Sequence, residues 1–185
     1  MLLKSCDYRA VIKTEPLEDR RKVVYVREYE NLQYPRVAAS PYIRALEDCI
    51  NHNDGDHVNQ RAIVLEWMDT DLWHARTHPR SQDPNLQKLV AKSVLEALAV
   101  FADIQGTHTD INPNNVLISG IDTSTPIIKV ADLGNLCGEG IDWIRLQGLA
   151  IRAPEVWSGL GCWPASDVWS LGVTVYLTYL NHRSR

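Results

Sequence analysis

A chain of 185 residues with 45% apolar and 23% charged side chains is long enough for one domain with a core of its own, and its composition is that of an ordinary globular protein rather than a disordered or fibrous one. The formal charge of −4 excludes the basic surface that nonspecific nucleic-acid binding needs, so no nucleic-acid partner is expected. The four cysteines, Cys6, Cys49, Cys137 and Cys162, are scattered with no Cys-x-x-Cys pair, a pattern that predicts reduced thiols instead of a disulfide frame or a zinc site.

The start, MLLKSCDYRAVIK, carries no signal-peptide core. Within it YRAVIKT, Tyr8–Thr14, is β-rich and predicts a strand. VVYVREYENLQ, Val23–Gln33, is divided: its front half favours strand and its back half helix, and Pro35 and Pro41 break either. NHNDGDHVNQ, Asn51–Gln60, reads as a polar loop, and AIVLEWM, Ala62–Met68, as a short buried strand. The clearest helix runs from Pro84 to Gln105. There Leu86, Leu89, Val90, Val94, Leu98, Phe101 and Ile104 recur at helical spacing, and Gly106 stands where a helix stops. HTDINPNNVLI, His108–Ile118, is a polar loop opening onto a strand; DTSTP turns that strand back into IIKVAD, Ile127–Asp132, as an antiparallel hairpin. Leu133 to Gly161 shows little periodicity. Ser166–Leu180 predicts a second helix, apolar on nearly all sides and therefore buried, and its run LGVTVYLTYL is too short to span a bilayer. The order is a β-rich part followed by a mainly helical one, joined near Met68. No membrane partner is expected, and the expected location is intracellular, cytoplasmic or nuclear.

The loop at His108 and the hairpin end at Asp132 carry the chemistry. Asn115 and Asp132, on neighbouring loop ends, could share a hard cation such as Mg²⁺, which takes one or two protein oxygens and completes its shell with phosphate oxygens. Asp110, not needed as a ligand, is then free to accept a proton from a hydroxyl. Each residue also has a plain structural reading. Asp110, Asn112, Asn114 and Asn115 suit Asx turns, Asp132-Leu-Gly suits a turn, Lys13 a strand end and Asp167 a helix cap.

HTDINPNNVL, VADLG, RAPEVW and SDVWSLG occur in the order and at roughly the spacing seen in eukaryotic protein kinases, and AVIK, Ala10–Lys13, resembles that family's strand-borne lysine motif. REYENL resembles the helix that follows it, which makes Glu28 the implied ion-pair partner of Lys13, with Glu30 as second choice. The HTDI opening and the RAPEVW…DVWSLG tail resemble the SR-protein-kinase-like branch most closely. The resemblance covers nearly the whole chain. It implies an α+β, two-lobe fold with an incomplete β-rich small lobe and a truncated helical large lobe: residues 1–68 form the small lobe and hinge, and 69–185 the large lobe through the buried central helix. It implies ATP and Mg²⁺ as cofactors and a protein serine or threonine hydroxyl as acceptor. The catalytic set it implies is Asp110, Lys13 and Asn115: Asp110 orients and deprotonates the hydroxyl, Lys13 holds the α- and β-phosphates, and Asn115 with Asp132 holds the metal. Leu65 guards the back of the nucleotide pocket, Glu66 to Met68 form the hinge that bonds adenine, and Leu117 lies under the ring. Asp167 caps the buried helix and braces the catalytic loop, and His108 packs beneath it.

The sequence also departs from that pattern. Nothing before Lys13 resembles G-x-G-x-x-G, and the later helices that would cover the central helix and pair with Glu155 are not in the sequence. The chain reads as the middle of a kinase domain, with an uncovered apolar patch. Thr109 stands in place of the usual arginine, Val11 in place of the small residue over adenine, and Asn112 in place of the lysine near the γ-phosphate, whose charge aids transition-state stabilisation. The segment from Asp132 to Glu155 contains no Ser, Thr or Tyr, so switching by phosphorylation there is not expected. Two other function classes are implied by these departures or by the shared H-x-D-x-x-x-x-N: a pseudokinase or fragment that binds partners without chemistry, and a small-molecule phosphotransferase. RAPEVW and SDVWSLG argue against the latter.

Overall fold

The computed structural model describes residues 9–51, 61–143 and 146–180. Cys6, Tyr8 and most of the expected polar loop, residues 52–60, lie outside them.

Strand β1 (Ala10–Thr14) pairs antiparallel with β3 (Ala62–Glu66), which pairs in turn with β2 (Leu46–Ile50), so that β3 is central. Its central place suits the apolar run AIVLE, in which Ile63 and Leu65 are fully buried. The register sets Val11 opposite Leu65 and Lys13 opposite Ile63. Directly paired residues share a face, and so do alternate ones, so Val11, Lys13 and Leu65 line one side of the sheet.

Helix α1 spans Asp19–Leu32. The strand-like front half of Val23–Gln33 is therefore helical, a correction to the divided reading. Its β-branched residues disfavour helix only by fractions of a kcal/mol, whereas Tyr25, Glu28 and Leu32 fall on one helical stripe and are all buried; burial decides. Pro35 does not break structure but opens α2 (Pro35–Ala38) at a position where its missing N–H is harmless.

The rest is mainly helical. After β4 (Thr70–Asp71) and α3 (Leu72–Ala75), α4 runs Pro84–Asp103, with the Asp83 side chain accepting from the Asn85 N–H at its start. The expected apolar stripe is the buried one, from Leu86 to Phe101. β5 (Gly106–Thr107) leads into the polar loop, and β6 (Val116–Ser119) and β7 (Ile127–Val130) form the expected antiparallel hairpin. A short 3-10 turn, Leu133–Asn135, precedes β8 (Cys137–Gly138), which pairs with β5. α5 (Pro154–Trp157) and α6 (Pro164–Val175) follow, and α6 ends in a π turn at Tyr176–Leu180. One hydrophobic core joins α1 and β3 to α4, the hairpin and α6.

α6 inverts the expectation of an all-round buried helix. Ser166, Asp167, Ser170 and Thr174 are buried, while Val168, Trp169 and Tyr176 are about half exposed. The buried face is polar because every group on it has a partner. Ser170 donates to the Ile151 carbonyl, Thr174 to the Ile111 carbonyl, and the Gln147 amide bonds the Ser166 carbonyl and the Ser170 hydroxyl. Among the described residues no helix is long and apolar enough to cross a membrane.

Candidate active site

The loop from His108 to Asn115 is fixed by backbone groups before any side chain is positioned for chemistry. Thr109 sits at φ +68°, and this left-handed turn lets consecutive N–H groups converge on one carboxylate. The His108 N–H reaches Asp167 Oδ2 at 2.6 Å and the Thr109 N–H reaches Oδ1 at 2.9 Å. The expected bracing is present, but Asp167 is not the cap: it lies inside the first turn of α6, and it is Ser166 whose hydroxyl accepts the Trp163 N–H at the helix start. Burial pushes the Asp167 carboxyl up to about 7, against the pull of the two N–H bonds.

His108 is completely buried between this brace and the hairpin. Its Nε2 meets the Ala131 carbonyl at 3.1 Å and its Nδ1 accepts the Asp110 N–H at 3.2 Å, a pairing that assigns the proton to Nε2. Burial lowers its pKa to about 4, so the ring is neutral at pH 7 and works as a spacer under the loop, as expected.

Both Asp110 oxygens accept side-chain amides: Oδ1 from Asn112 Nδ2 and Oδ2 from Asn115 Nδ2, each at 2.9 Å. Burial raises the Asp110 pKa, the two amides pull it back, and nearby Asp132 raises it again. Asn112 also accepts the Asn114 N–H at 2.9 Å, as the Asx-turn reading expects. Thr109, at the arginine position, donates to the Asn135 carbonyl at 3.1 Å.

On the other side of the cleft Lys13 forms an ion pair with Glu28, and Glu30 is exposed; the first choice of partner is the one that meets it. Glu28 is 3% exposed, and burial raises its pKa against the attraction of Lys13. Helix α1 is held there through the 3-10 turn. Asn31 Nδ2 donates to the Leu133 carbonyl at 2.8 Å, and Gly134 lies so close to α1 that any side chain would collide with Val24. Asp132 opens this turn at φ +63°, which aims its carboxylate back at the cleft, with Oδ1 3.7 Å from Lys13 Nζ. That Oδ1 is buried and accepts no hydrogen bond.

A cavity of about 310 Å³ lies between these walls, lined by Val11, Lys13, Leu65 and Leu117 around Asn115 and Asp132. Glu66 and Met68, expected at its rim, are not among its lining residues. Glu66 is engaged throughout: its N–H donates to the Ala45 carbonyl at 3.0 Å, its carboxylate accepts Lys129 Nζ at 2.7 Å, and its own carbonyl accepts Arg44 Nε at 2.8 Å. Met68 is buried, with the Ser119 hydroxyl against its sulfur. Arg44 does line the cavity, and no sequence signal pointed to it. A second cavity of about 290 Å³ opens on the far side of Asp110, walled by Trp73, Pro113, Leu149 and Leu177.

The donor set fits a cation brought in by its ligand. Among the described residues no group of three or more His, Cys, Asp or Glu could hold a metal unaided. Asp132 offers a buried oxygen with no donor, and Asn115, whose amide nitrogen is committed to Asp110, offers its Oδ1. One carboxylate and one amide oxygen make the short protein contribution that Mg²⁺ takes when phosphates supply the rest.

The protein kinase domain pattern matches residues 4–183. The chain belongs to the protein kinase family. Among its relatives, the probable serine/threonine-protein kinase yakA of Dictyostelium discoideum is 31% identical over 119 residues, covering 63% of this chain and 8% of that protein. The dual specificity protein kinase YAK1 of Saccharomyces cerevisiae is 27% identical over 127 residues, covering 67% of this chain and 16% of that protein. The serine/threonine-protein kinase AFC2 of Arabidopsis thaliana is 26% identical over 192 residues, covering 85% of this chain and 45% of that protein. The chain thus spans less than half the length of these relatives. The expected kinase lineage is borne out, and with it the mixed, partial two-lobe kinase fold.

Proposed function

We propose that this kinase domain binds Mg²⁺–ATP in the cleft between Lys13 and Asp132 and transfers the γ-phosphoryl group to a protein serine or threonine hydroxyl. The observation that carries this reading is the buried Asp132 Oδ1, which accepts no hydrogen bond and faces Lys13 Nζ at 3.7 Å in a cavity with apolar walls. Asn115 and Asp132 would hold Mg²⁺, which supplies charge neutralisation at the phosphates. Lys13, kept in place by Glu28, holds the phosphates. Leu65, Val11 and Leu117 exclude water around the base. Asp110 accepts the hydroxyl proton, and its two amide donors fix the carboxylate so that the acceptor oxygen meets it from the second cavity. The hinge role of Glu66 and Met68 and the SR-protein-kinase-like affinity of the HTDI motif belong to the same reading.

The test is phosphoryl transfer from Mg²⁺–ATP to a mixed peptide pool, with Asp110→Asn alongside. Transfer by the native chain that the variant loses by a factor of about 10² or more supports the reading. Equal transfer by both would remove Asp110 from its role. One observation favours a second reading, a non-catalytic binding module: Asn112 places a neutral amide on Asp110 where the family pattern has a lysine. Nucleotide binding without any transfer would select that reading.

A further inference from the structure

Arg44 lies in the wall of the nucleotide cavity, and the roles assigned above leave it unused. Its backbone is clamped to the hairpin, since its N–H bonds the Val130 carbonyl at 2.9 Å and the Val130 N–H bonds the Tyr42 carbonyl at 2.8 Å. From there the half-buried side chain crosses to the end of β3, where Nε donates to the Glu66 carbonyl. Its Nη groups make no hydrogen bond to the described residues. Burial pulls the guanidinium pKa down while Glu28 and Glu66 offset it, and an arginine stays charged. The cavity therefore presents a cationic fork with open donors beside Leu65, and the Glu66 carbonyl at that end of β3 already accepts from it.

We infer that Arg44 is a base-specificity residue that admits a 6-oxo purine, so that this site accepts GTP as well as ATP. The inference rests on the nucleotide-binding reading above. An arginine fork matches the adjacent O6 and N7 acceptors of guanine, both of which receive an N–H. Adenine offers N7 as an acceptor but a 6-amino donor beside it. That donor meets the guanidinium instead of an acceptor, and the Glu66 carbonyl already accepts one bond from Arg44 Nε.

The experiment is calorimetric titration of the native chain with Mg²⁺–GTP and Mg²⁺–ATP, repeated with Arg44→Met and Arg44→Lys. Melting curves without nucleotide check that each variant folds. Methionine keeps the apolar stem and removes all donors; lysine keeps the charge and removes the fork. The native chain is expected to bind GTP within about tenfold of ATP or tighter, and Arg44→Met to shift the ratio about tenfold or more toward ATP, with Arg44→Lys between. If both nucleotides bind and Arg44→Met leaves their ratio unchanged, the inference falls and the nucleotide site stands. A lysine variant identical to the native chain would overturn the fork geometry. A folded native chain that binds neither nucleotide would overturn the site and the inference together.

Discussion

The two walls of the cleft are built on different principles. The lower wall is set by buried backbone bonds: Asp167 holds two N–H groups, His108 bridges the loop to Ala131, and Asp110 takes an amide on each oxygen. The upper wall is set by charge: Lys13, 39% exposed at its side chain, pairs with Glu28 on a helix held by one asparagine and by the closeness of Gly134 to Val24. Buried, fully paired polar groups allow one geometry, whereas a partly exposed ion pair is screened and contributes little to stability. The lower wall is thus set by buried hydrogen bonds, and the Lys13–Glu28 contact of the upper wall by a partly exposed ion pair.

The largest effect that separates the walls is catalytic. Asp110→Asn should lower phosphoryl transfer by about 10²–10⁴-fold while leaving nucleotide affinity nearly unchanged, as read by steady-state transfer beside calorimetry. Asp167→Ala should cost about 3 kcal/mol in urea unfolding, because two buried N–H groups lose their acceptor; a cost below about 1 kcal/mol would mean that the lower wall is not braced from α6. His108 makes one contribution to the pH dependence, opposed in sign by Asp167, whose raised carboxyl loses stability as pH rises toward about 7. The folded pKa of His108, about 4, lies below the unfolded value of about 6.5, so the unfolded chain takes up a proton first as pH falls. Its contribution is fully present above pH 6.5 and is lost toward pH 4, about 3 kcal/mol in all. His108→Gln should remove this loss of stability toward pH 4 and leave the opposite slope that Asp167 contributes. The smallest expected effect is a gain: Asn112→Lys should raise the transfer rate by about tenfold by restoring a cation beside Asp110. No gain would show that the Asn112 amide on Asp110 already does what the lysine would.

How much of this was legible follows from the same contrast. Asp110, Asn115 and Asp132 could be grouped from spacing, because they sit on one loop and the end of the adjoining hairpin, whereas the brace from Asp167 and the place of His108 came through the resemblance. Lys13 and Glu28 were legible through the resemblance and not through periodicity: the VVYV run that precedes Glu28 disguised its helix as a strand. Arg44 was not legible, since nothing local says that the side chain crosses to the Glu66 carbonyl. The same holds for Glu66, whose groups are taken by the neighbours Arg44 and Ala45 and by Lys129, from two other parts of the chain. α6 misled for a related reason. Val168 and Trp169, with Tyr176 just beyond, face outward because the serines, threonine and aspartate on the other face have partners at Ile151 and in the His108 loop, and a hydrophobic pattern carries no record of such partners.

Asp132, whose buried Oδ1 accepts no hydrogen bond, is the residue on which the proposed magnesium–nucleotide site depends most. Calorimetry of the native chain and Asp132→Ala with ATP, each with and without Mg²⁺, tests it most directly, and a thermal shift gives an independent reading because a ligand of the native state raises its stability. The account predicts magnesium-dependent binding by the native chain that Asp132→Ala loses. A folded native chain that binds no nucleotide, or a variant that binds it just as tightly with the same magnesium dependence, would contradict it.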